Sequence, residues 1–549
     1  MSAGLRDISP ARIAGTIAVI GTLVAGALHV VFGMRAGALW RDEVNSLELA
    51  TVPTLSEMWI NLDYDSFPAL FFLVLRTFAG VPASASDVEL RVFGVTIGLL
   101  ILGALWLNAR VFRFGVPLVS LALIGFNPMV IRYDDSIRAY GLGTLLILLV
   151  LPAIWKIIES PTPRRIIVAG VAALLSVQCL YYNAILLFAI CLGAVAVSIR
   201  HRLWKRGLVV LTIGAICAVS LLPYLPIFRR VGSWNYQFKA PIDFALLWGK
   251  LSETITVPLS IARWVWIFLF IAAICAGAWM LLRGAEERET TPAKDRALFA
   301  LVTLLVGTVG YAGFLRILSY TPRPWYFVLL LVFAAVCMEM LFASLPDKKW
   351  LSFARCGFAL AFISAGTFPA WQALQVRQTN IDLIARKLES LAKEGDLILI
   401  SPWNYGITFR RYYHQGTLCA TLPPVEDLRF HRCDIIKRQM MSPAPMAPVL
   451  EKMGETLRAG KTIWLVGHLI PVAPGKRPLE VPPGYDGPDG FVSGPFYGAW
   501  MEQAGFLVQT QAINNERVPV PSQQPIMHYE APTLGSIRGW RSAPEAVPQ

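Results

Sequence analysis

Two acidic residues, Asp42 and Glu43, stand a few positions beyond the first long apolar run of this 549-residue chain. A carboxylate in such a place can take a proton from a hydroxyl group as a general base, or it can bind a divalent cation through its oxygens. It can also be an interfacial anchor or one half of a structural ion pair. The residue types alone leave these interpretations open.

A second charged cluster lies in the segment NPMVIRYDDSIRAYGLG, residues 127–143, between two other apolar runs. If this segment is helical from Asp134 onward, Arg138 shares a face with Asp134 and Asp135, and Tyr140 follows. Such a group can be a satisfied ion cluster at the membrane surface. It can also be a site, because charges that converge on one face of a membrane protein are usually functional.

The segment SYTPRPWYFV, residues 319–328, holds Arg323 between two prolines and places it close to Tyr326. A guanidinium fixed beside aromatic rings can bind a phosphate through two parallel hydrogen bonds. An aromatic belt with an interfacial arginine would give the same pattern.

A third segment, FRRVGSWNYQFKAPIDF, residues 228–244, mixes aromatic rings with Arg229, Arg230 and Lys239. These residues suit a sugar that stacks on a ring while its phosphate meets the cations. They equally suit contact with lipid headgroups.

The candidate ligands for a divalent cation are Glu43 and Asp135, although neighbouring acids on a helix point about 100° apart. The sequence has no Walker A loop, no HExxH motif and only six histidines. It therefore predicts neither ATP hydrolysis nor a zinc site.

The composition shows which elements must position these residues. Hydrophobic residues make up 55% of the chain and charged residues 15%, whereas soluble domains carry about 25% charged residues. The apolar residues form repeated blocks of about 20, the length that crosses a hydrocarbon core of about 30 Å. We therefore predict a polytopic membrane protein, and the net charge of +13 indicates topology rather than nucleic-acid binding.

About eleven spans are predicted, with the N-terminus inside and the C-terminus outside, because the basic connecting segments then alternate correctly. One short block, 66–80, contains Arg76 and is expected to lie at the outer interface, with Arg76 reaching the headgroups. Asp42 and the three segments above then share the outer side. The spans are expected at about 12–33, 90–109, 116–132, 139–157, 166–180, 183–199, 207–227, 258–282, 297–318, 325–344 and 351–371.

The last part of the chain, residues 372–549, has ordinary charge content and alternates between helix and strand patterns. This predicts an extracytoplasmic α/β domain with a partly parallel sheet, behind a membrane domain of residues 1–371. The Pro- and Gly-rich stretch 471–490 predicts a loop. Helices are expected at 380–395, 405–414 and 496–505, and strands at 396–401, 462–470 and 506–513.

Six of the eight cysteines fall in predicted spans, which leaves Cys419 and Cys433 in the C-terminal part. An even pair in an oxidising compartment is a disulfide candidate. Two free thiols are the alternative.

The order of these motifs resembles that of the GT-C glycosyltransferases, specifically the family 39-like branch with the protein O-mannosyltransferases and the bacterial lipid A aminoarabinose transferases. The resemblance covers most of residues 1–370 and, more loosely, the C-terminal part. The chain departs from the usual Pro-Pro-Leu and Pro-Ser of the family at Phe67-Pro68-Ala69 and Val92-Phe93. The matching motifs are Trp40-Arg41-Asp42-Glu43, Pro68-Ala69-Leu70, Leu90-Arg91, Asn127-Pro128, Tyr133-Asp134-Asp135-Ser136-Ile137-Arg138-Ala139-Tyr140 and Pro322-Arg323-Pro324-Trp325-Tyr326.

The resemblance implies a GT-C fold and transfer of a sugar from a polyprenyl-phosphate donor to a hydroxyl of a lipid, polysaccharide or protein, at the outer face of a bacterial cytoplasmic membrane. Asp42 would be the base and Glu43 its partner or a metal ligand, and attack opposite the phosphate would invert the anomeric centre. A divalent cation is compatible with this chemistry but not required. The donor phosphate and sugar would be bound by Asp134, Asp135, Arg138, Tyr140, Arg323, Tyr326, Arg229, Arg230 and Lys239.

Two alternatives from other classes stay open at this point. A lipid or polysaccharide transporter would carry charges along the middle of its spans and show paired halves. A membrane-anchored binding module would work through its C-terminal domain, and Asp42 and Arg138 would then be dispensable.

Overall fold

The computed structural model describes residues 9–81, 85–234, 242–257, 259–283, 291–346, 348–485 and 492–542. The chain is α-helical up to residue 374, here called the helical region. A five-stranded sheet with flanking helices follows in residues 377–542, here called the sheet region. The predicted class, mainly α with a C-terminal α/β part, is confirmed.

The helical region contains seventeen α-helices among its described residues. Leu, Ala, Val and Ile dominate the long ones, which suits contact with lipid, and the helical hydrogen bonds satisfy the backbone polar groups internally, as a lipid environment requires. They are α1 (Pro10–Arg35), α2 (Arg41–Ala50), α3 (Leu55–Ile60), α4 (Ala69–Ala79), α5 (Asp87–Val111), α6 (Leu118–Ile124), α7 (Pro128–Asp134), α8 (Ala139–Glu159), α9 (Pro163–Cys179), α10 (Asn183–Arg200), α11 (Trp204–Val219), α12 (Leu225–Trp234), α13 (Phe244–Ile255), α14 (Ala262–Leu282), α15 (Pro292–Leu318), α16 (Val328–Ala343) and α17 (Lys349–Leu374).

Nine helices within the described residues are long and apolar enough to cross a membrane, and the chain is therefore a multi-pass membrane protein. The sequence predicted about eleven. The nine are Pro10–Arg35, Asp87–Val111, Ala139–Glu159, Asn183–Arg200, Trp204–Gly232, Ala262–Leu282, Pro292–Leu318, Pro324–Ala343 and Lys349–Leu374.

Two predicted spans account for the difference. Helix α9 has only 17 residues, and the block at 116–132 is divided into α6 and α7. The side-chain oxygen of Asn127 accepts hydrogen bonds from the backbone N–H groups of Met129 at 2.9 Å and Val130 at 3.2 Å, and Pro128 fills the first turn of α7. Because Asn before Pro is a strong helix start, a new helix begins where the apolar pattern alone predicts continuity.

The short apolar block at 66–80 forms α4, an 11-residue helix that is too short to span. The sequence predicted that Arg76 of this helix reaches the lipid headgroups, but the side chain turns toward α2 instead. The guanidinium donates to the backbone carbonyls of Ala50 at 3.0 Å, Val52 at 2.5 Å and Pro53 at 2.9 Å, just beyond the end of α2. Arg76 thus ties α4 to α2 and satisfies carbonyls that a helix C-terminus leaves free.

The turn between α7 and α8 is in close contact with α5 and with the first turn of α8. A Cβ atom at Gly94 would lie 1.9 Å from the carbonyl oxygen of Asp135, and one at Gly141 would lie 1.8 Å from that of Asp134. At Gly98 a Cβ atom would lie 2.0 Å from the Asp135 carboxylate. Three glycines therefore allow the backbone approach that fixes this turn.

The sheet region alternates helices and strands as predicted. Strand order is β2-β1-β3-β5-β4, with β1 parallel to both β2 and β3, and β5 antiparallel to β3 and β4. The elements are α18 (Ile381–Leu391), β1 (Leu397–Ser401), α19 (Tyr405–Tyr412), β2 (Leu418–Thr421), α20 (Cys433–Met441), α21 (Ala447–Arg458), β3 (Ile463–Gly467), α22 (Ser493–Gln511), β4 (Ala512–Val518) and β5 (Leu534–Trp540).

One predicted strand is wrong. Residues 506–513 lie mostly in α22, which continues to Gln511, and the strand β4 begins only at Ala512. The apolar residues of this segment pack as one face of the helix, with Val508 buried. A short apolar run cannot distinguish a buried strand from a buried helical turn by its period alone.

The predicted disulfide between Cys419 and Cys433 is absent, since both thiols are free. Cys419 lies on the exposed edge strand β2, where its thiol donates to the carbonyl of Thr417. Cys433 is the first residue of α20. Two cysteines on separate elements need matched Cβ directions to bond, which the sequence does not report.

The two regions are joined by polar contacts around α2. Arg411 Nη2 lies 2.7 Å from Asp87 Oδ1 at the start of α5. The hydroxyl of Tyr412 donates to the same carboxylate and accepts from Leu39 N at 2.8 Å. Helix α19 therefore rests on the ends of the helices next to the acidic segment.

A buried carboxylate holds the opposite end of the bundle. Glu339 in α16 accepts the backbone N–H groups of Val119 at 2.5 Å and Ser120 at 2.8 Å, in the first turn of α6, and Arg355 Nη2 at 2.5 Å. The side chain of Glu339 is fully buried. One carboxylate thus joins α16, α6 and α17.

We expect Glu339→Leu to destabilise the protein by about 3–5 kcal/mol, because it leaves the Arg355 guanidinium and two buried N–H groups without their partner. The measurement is thermal unfolding in detergent. Glu253→Gln is the control, since Glu253 makes only an exposed pair with Lys250 and its loss should cost under about 1 kcal/mol. Equal thermal midpoints for Glu339→Leu and Glu253→Gln would contradict the stabilising role of Glu339.

Candidate functional site

The site is built on the first turn of α2. Gly37, at φ 68°, turns the chain sharply after α1, and Trp40 then caps α2. Asp42 and Glu43 lie in the first turn, where free N–H groups and the helix dipole favour negative charge. Their side chains point in different directions, and this difference separates their roles.

Asp42 is the accessible acid, with 21% of its side chain exposed. Its Oδ1 lies 3.2 Å from His431 Nε2 and 3.7 Å from Arg41 Nε. Burial alone raises the pKa of this carboxyl, but the contact with His431 and the charges of Arg138 and Arg41 outweigh it and hold the pKa well below its usual range. Asp42 is therefore ionised at neutral pH.

Glu43 is fully buried, and its carboxylate has no accepting capacity left for a substrate. Arg91 donates to it twice, at 2.6 and 2.9 Å, and the backbone N–H groups of Ile137 and Trp40 donate at 3.0 and 3.2 Å. The role of Glu43 as a catalytic partner or metal ligand stays a prediction, while in the structure these four donors occupy the carboxylate. Glu43 is the structural centre that joins α2 to α5 and to the turn before α8.

Arg138 lies beside Asp42, as predicted. Its Nη1 donates to the backbone oxygen of Asp42 at 3.0 Å, to Ser46 Oγ at 2.7 Å and to Asp65 Oδ2 at 2.7 Å. The guanidinium carbon lies 4.5 Å from the centre of the Phe67 ring. Its Nε is buried and has no hydrogen-bond partner among the described residues, so one strong donor stays available.

Asp134 and Asp135 do not join this group. Both are buried, and Asp135 accepts from His29 Nδ1 of α1 at 2.7 Å, while Asp134 accepts from Thr144 Oγ1 at 3.1 Å. The sequence placed them on the face of Arg138 by assuming one continuous helix. Helix α7 ends at Asp134 and α8 begins at Ala139, so Asp135 faces His29 of α1, Asp134 faces Thr144 of α8, and Arg138 faces α2. Contact of the two acids with a donor stays a prediction.

Tyr140 and Tyr326 line the same place. Each lies within electrostatic range of both Asp42 and Arg138. The Tyr140 ring also packs edge-on against Phe67 at 5.3 Å between ring centres. These two tyrosines lie near the acid and the cation, and their contact with a donor stays a prediction.

The remaining cations predicted to bind the donor differ in whether they are exposed and free of an ion pair. Arg323 is exposed, lies close to Tyr326 and makes no ion pair within the described residues. Arg229 is also exposed, whereas Arg230 pairs with Asp63 at 2.6 Å. Lys239 lies outside the described residues. Arg323 is therefore the free cation nearest to the pair of Asp42 and Arg138 among the residues predicted.

The sheet region adds three residues that the sequence did not predict: His431, Tyr529 and Glu530. Besides the contact of His431 with Asp42, Tyr529 Oη lies 3.2 Å from Tyr133 Oη, and Glu530 pairs with Arg41. Nothing periodic in the sequence links them to α2. Asp65 was missed as well, although its position in the outer segment NLDYDSFP is a signal that the topology argument could have used.

The metal hypothesis is not supported. Among the described residues, no group of three or more His, Cys, Asp or Glu side chains is arranged to hold a metal ion. The two predicted ligands, Glu43 and Asp135, already accept from Arg91 and His29.

The site thus combines the ionised, partly exposed carboxylate of Asp42 with the buried guanidinium of Arg138, which keeps one free donor. The exposed guanidinium of Arg323 and the hydroxyl groups of Tyr140 and Tyr326 complete the site. A carboxylate of this kind can take a proton from a hydroxyl group. The cations can stabilise a leaving group that departs as an anion. Asp65, by contrast, already accepts from Arg138, Ser46 and Asn45 and positions the cation.

Glu530 makes stability depend on pH. Burial and the nearby charge of Asp42 raise its pKa from 4.5 to about 7, against the lowering effect of Arg41. The folded protein therefore holds this proton more tightly, and the stabilisation, roughly 3 kcal/mol, is present below pH 4.5 and lost as the pH rises through about 7.

We expect the thermal midpoint of the natural protein to fall between pH 5 and pH 8 by more than that of Glu530→Gln, measured in the same detergent. Glu516→Gln removes an exposed acid of β4 and should keep the natural pH dependence. An unchanged pH dependence in Glu530→Gln would refute the assignment.

No protein-family model matches this chain, and no curated protein matches its sequence. Among solved structures, the chain is similar to ArnT from Cupriavidus metallidurans in the apo state (14% identity, TM-score 0.49) and bound to undecaprenyl phosphate (14%, 0.48), each over 82% of this chain and 92% of that one. It is also similar to the Archaeoglobus fulgidus oligosaccharyltransferase in complex with Zn and sulfate (15%, TM-score 0.45), over 82% of this chain and 68% of that one. At these values the similarities assign no family, substrate or residue role to this chain.

Proposed function

We propose that this protein is a membrane glycosyltransferase that moves a sugar from a polyprenyl-phosphate donor to an acceptor hydroxyl at the outer face of a bacterial cytoplasmic membrane. The observation that carries the proposal is the placement of ionised Asp42 beside Arg138, at the ends of apolar helices. The order of motifs that resembles the GT-C glycosyltransferases supports it. The acceptor is a lipid, a polysaccharide or a protein.

In the proposed reaction, the acceptor oxygen attacks the anomeric carbon of the donor sugar. The bond from that carbon to the phosphate oxygen breaks, and its electron pair leaves on the phosphate. Asp42 takes the proton of the acceptor hydroxyl, while Arg138 and Arg323 stabilise the charge that develops on the phosphate. Attack from the side opposite the phosphate inverts the anomeric centre.

The low pKa of Asp42 makes it a weak base as long as no further negative charge lies beside Arg138, Arg41 and His431. A phosphate bound to Arg138 would bring opposing negative charge, so donor binding would raise the basicity of Asp42. His431, at 3.2 Å, is placed to hold the carboxylate during proton transfer.

The proposed reaction gives each of the two regions of the chain a role. A donor with a polyprenyl tail needs a protein that presents its reacting carbon at the membrane surface. The sheet region supplies His431 and Glu530 around Asp42, so we assign to it the outer side and a part in shaping the acceptor entrance. The proposal keeps the predicted topology, with the N-terminus inside.

We expect Asp42→Asn to lower the rate of transfer by about 10²–10⁴-fold, because the amide cannot accept the proton. The measurement is release of polyprenyl phosphate from a labelled polyprenyl-phosphate sugar by purified protein with a cell-envelope acceptor extract. Glu57→Gln, which changes an exposed acid of α3, should keep full activity. A folded Asp42→Asn protein with natural activity would exclude Asp42 as the base.

Arg138→Lys tests the cation. Lysine keeps the charge but lacks the second donor arm, so we expect transfer to fall at least about tenfold while the protein stays folded. Arg386→Lys, at an exposed position of α18, is the matched control. If Arg138→Lys transfers sugar as fast as the control, the guanidinium has no role in donor binding.

A further inference from the structure

A second polar cavity lies far from Asp42. It has a volume of about 310 Å³ and is enclosed by the ends of α5, α8 and α10 and the first turns of α11 and α15. None of the residues assigned above belongs to it. Its charged lining residues are Arg113, Glu159, His201, Arg206, Asp295 and Arg296.

The cavity is at the opposite end of the bundle from the proposed active site. Helix α5 begins next to Glu43, through Arg91, and reaches the cavity at Val111. Helix α8 likewise begins after Arg138 and ends at the cavity. With a rise of 1.5 Å per residue, helices of 21 and 25 residues separate the two places by roughly 30 Å, the thickness of a hydrocarbon core.

The two acids of the cavity already have partners. Glu159 accepts from Lys156 at 2.6 Å, and Asp295 accepts from His201 at 2.8 Å. Arg206 uses its Nη1 on backbone carbonyls at the end of α8, including that of Glu159 at 3.1 Å. These contacts within the cavity therefore leave the positive charges of its other cations without a direct partner.

Arg113 and Arg296 are those cations. Both line the cavity and act on each other as like charges, and neither side chain makes a hydrogen bond or an ion pair in the part of the chain that the structure describes. Asp295 and Glu159 attract Arg296 at longer range, but their direct contacts are with His201 and Lys156, so the two guanidiniums still repel each other. An anion between them would remove the repulsion and accept from both.

The backbone at Arg113 adds a separate observation. Its φ is 56°, the left-handed conformation that commonly ends a helix with glycine. A non-glycine residue there is strained. Arg202 after α10 has the same conformation, with φ 57°, and does not line the cavity, so the strain by itself assigns no role to the side chain. It does mean that glycine can replace Arg113 without a cost to the backbone.

The cavity lining also contains the apolar residues Val111, Phe112, Trp155, Ile158 and Val197. A cavity lined by free cations together with aromatic and aliphatic side chains matches an anionic headgroup with a hydrocarbon chain attached. Inorganic phosphate would use only the cations.

We propose that this cavity binds the phosphate of an anionic phospholipid, between Arg113 and Arg296, in the leaflet opposite the proposed active site. The proposal does not rest on the glycosyltransferase function. The apolar lining residues hold the first part of an acyl chain, and the two guanidiniums replace their mutual repulsion with hydrogen bonds to phosphate oxygens.

The test is lipid binding to the full-length protein in zwitterionic-lipid nanodiscs, followed by native mass spectrometry and by the thermal midpoint as phosphatidic acid or phosphatidylglycerol is added. We expect retained anionic lipid and a raised midpoint, since a ligand that binds only the folded state stabilises it. Arg113→Gly should weaken this binding about tenfold or more while keeping or raising the midpoint without lipid, because glycine relieves the backbone strain.

Arg202→Gly is the matched control. Arg202 follows α10 with φ 57°, is exposed and does not line the cavity, so the substitution removes the same charge from the same conformation. It should bind anionic lipid as the natural protein does, and Arg296→Gln should bind as weakly as Arg113→Gly. Equal loss in Arg202→Gly and Arg113→Gly, or no loss in either, would overturn the site. An equal response to inorganic phosphate alone would overturn the assignment to a lipid.

Discussion

The buried ion pair of Glu43 with Arg91 determines the geometry of the outer site. Burying an ion pair costs free energy unless the carboxylate oxygens accept further hydrogen bonds besides those from the guanidinium. Here the guanidinium of Arg91 contacts both oxygens of Glu43, and the backbone N–H groups of Trp40 and Ile137 donate the further hydrogen bonds. The four groups come from three separate parts of the chain. Once they meet, α2 has a fixed rotation, Asp42 points outward, and Arg138 begins α8 beside it.

Much of this could be predicted from the sequence, for identifiable reasons. Apolar runs long enough for a bilayer identify the helices, and charge alternation brings Asp42, Arg138 and Arg323 together. The pairing of Glu43 with Arg91 could not be predicted, because 48 positions separate the two residues and no period links them. The Asn-Pro pair at Asn127 is a signal for the start of a helix, so the break between α6 and α7 could have been predicted. The continuous hydropathy of the segment favoured a single span instead.

The contribution of the sheet region was harder to foresee. His431 stands in a polar segment between elements, and Glu530 in a single 3₁₀ turn, where no pattern indicates what the side chains will contact. The two residues relate to Asp42 differently: His431 favours the ionised form of Asp42, whereas burial and the charge of Asp42 raise the pKa of Glu530. Arg41, between the two carboxylates, keeps them compatible.

The pairing of Arg41 with Glu530 also has a consequence for the timing of synthesis. The two residues are 489 positions apart. At about 5–20 residues per second, the ribosome adds the second of them about 25–100 s after the first. During that interval the membrane helices can already be in place, with Arg138 beside Asp42, while His431 and Glu530 have not yet both joined them. The enclosed arrangement around Asp42 can therefore form only after residue 530 has been made.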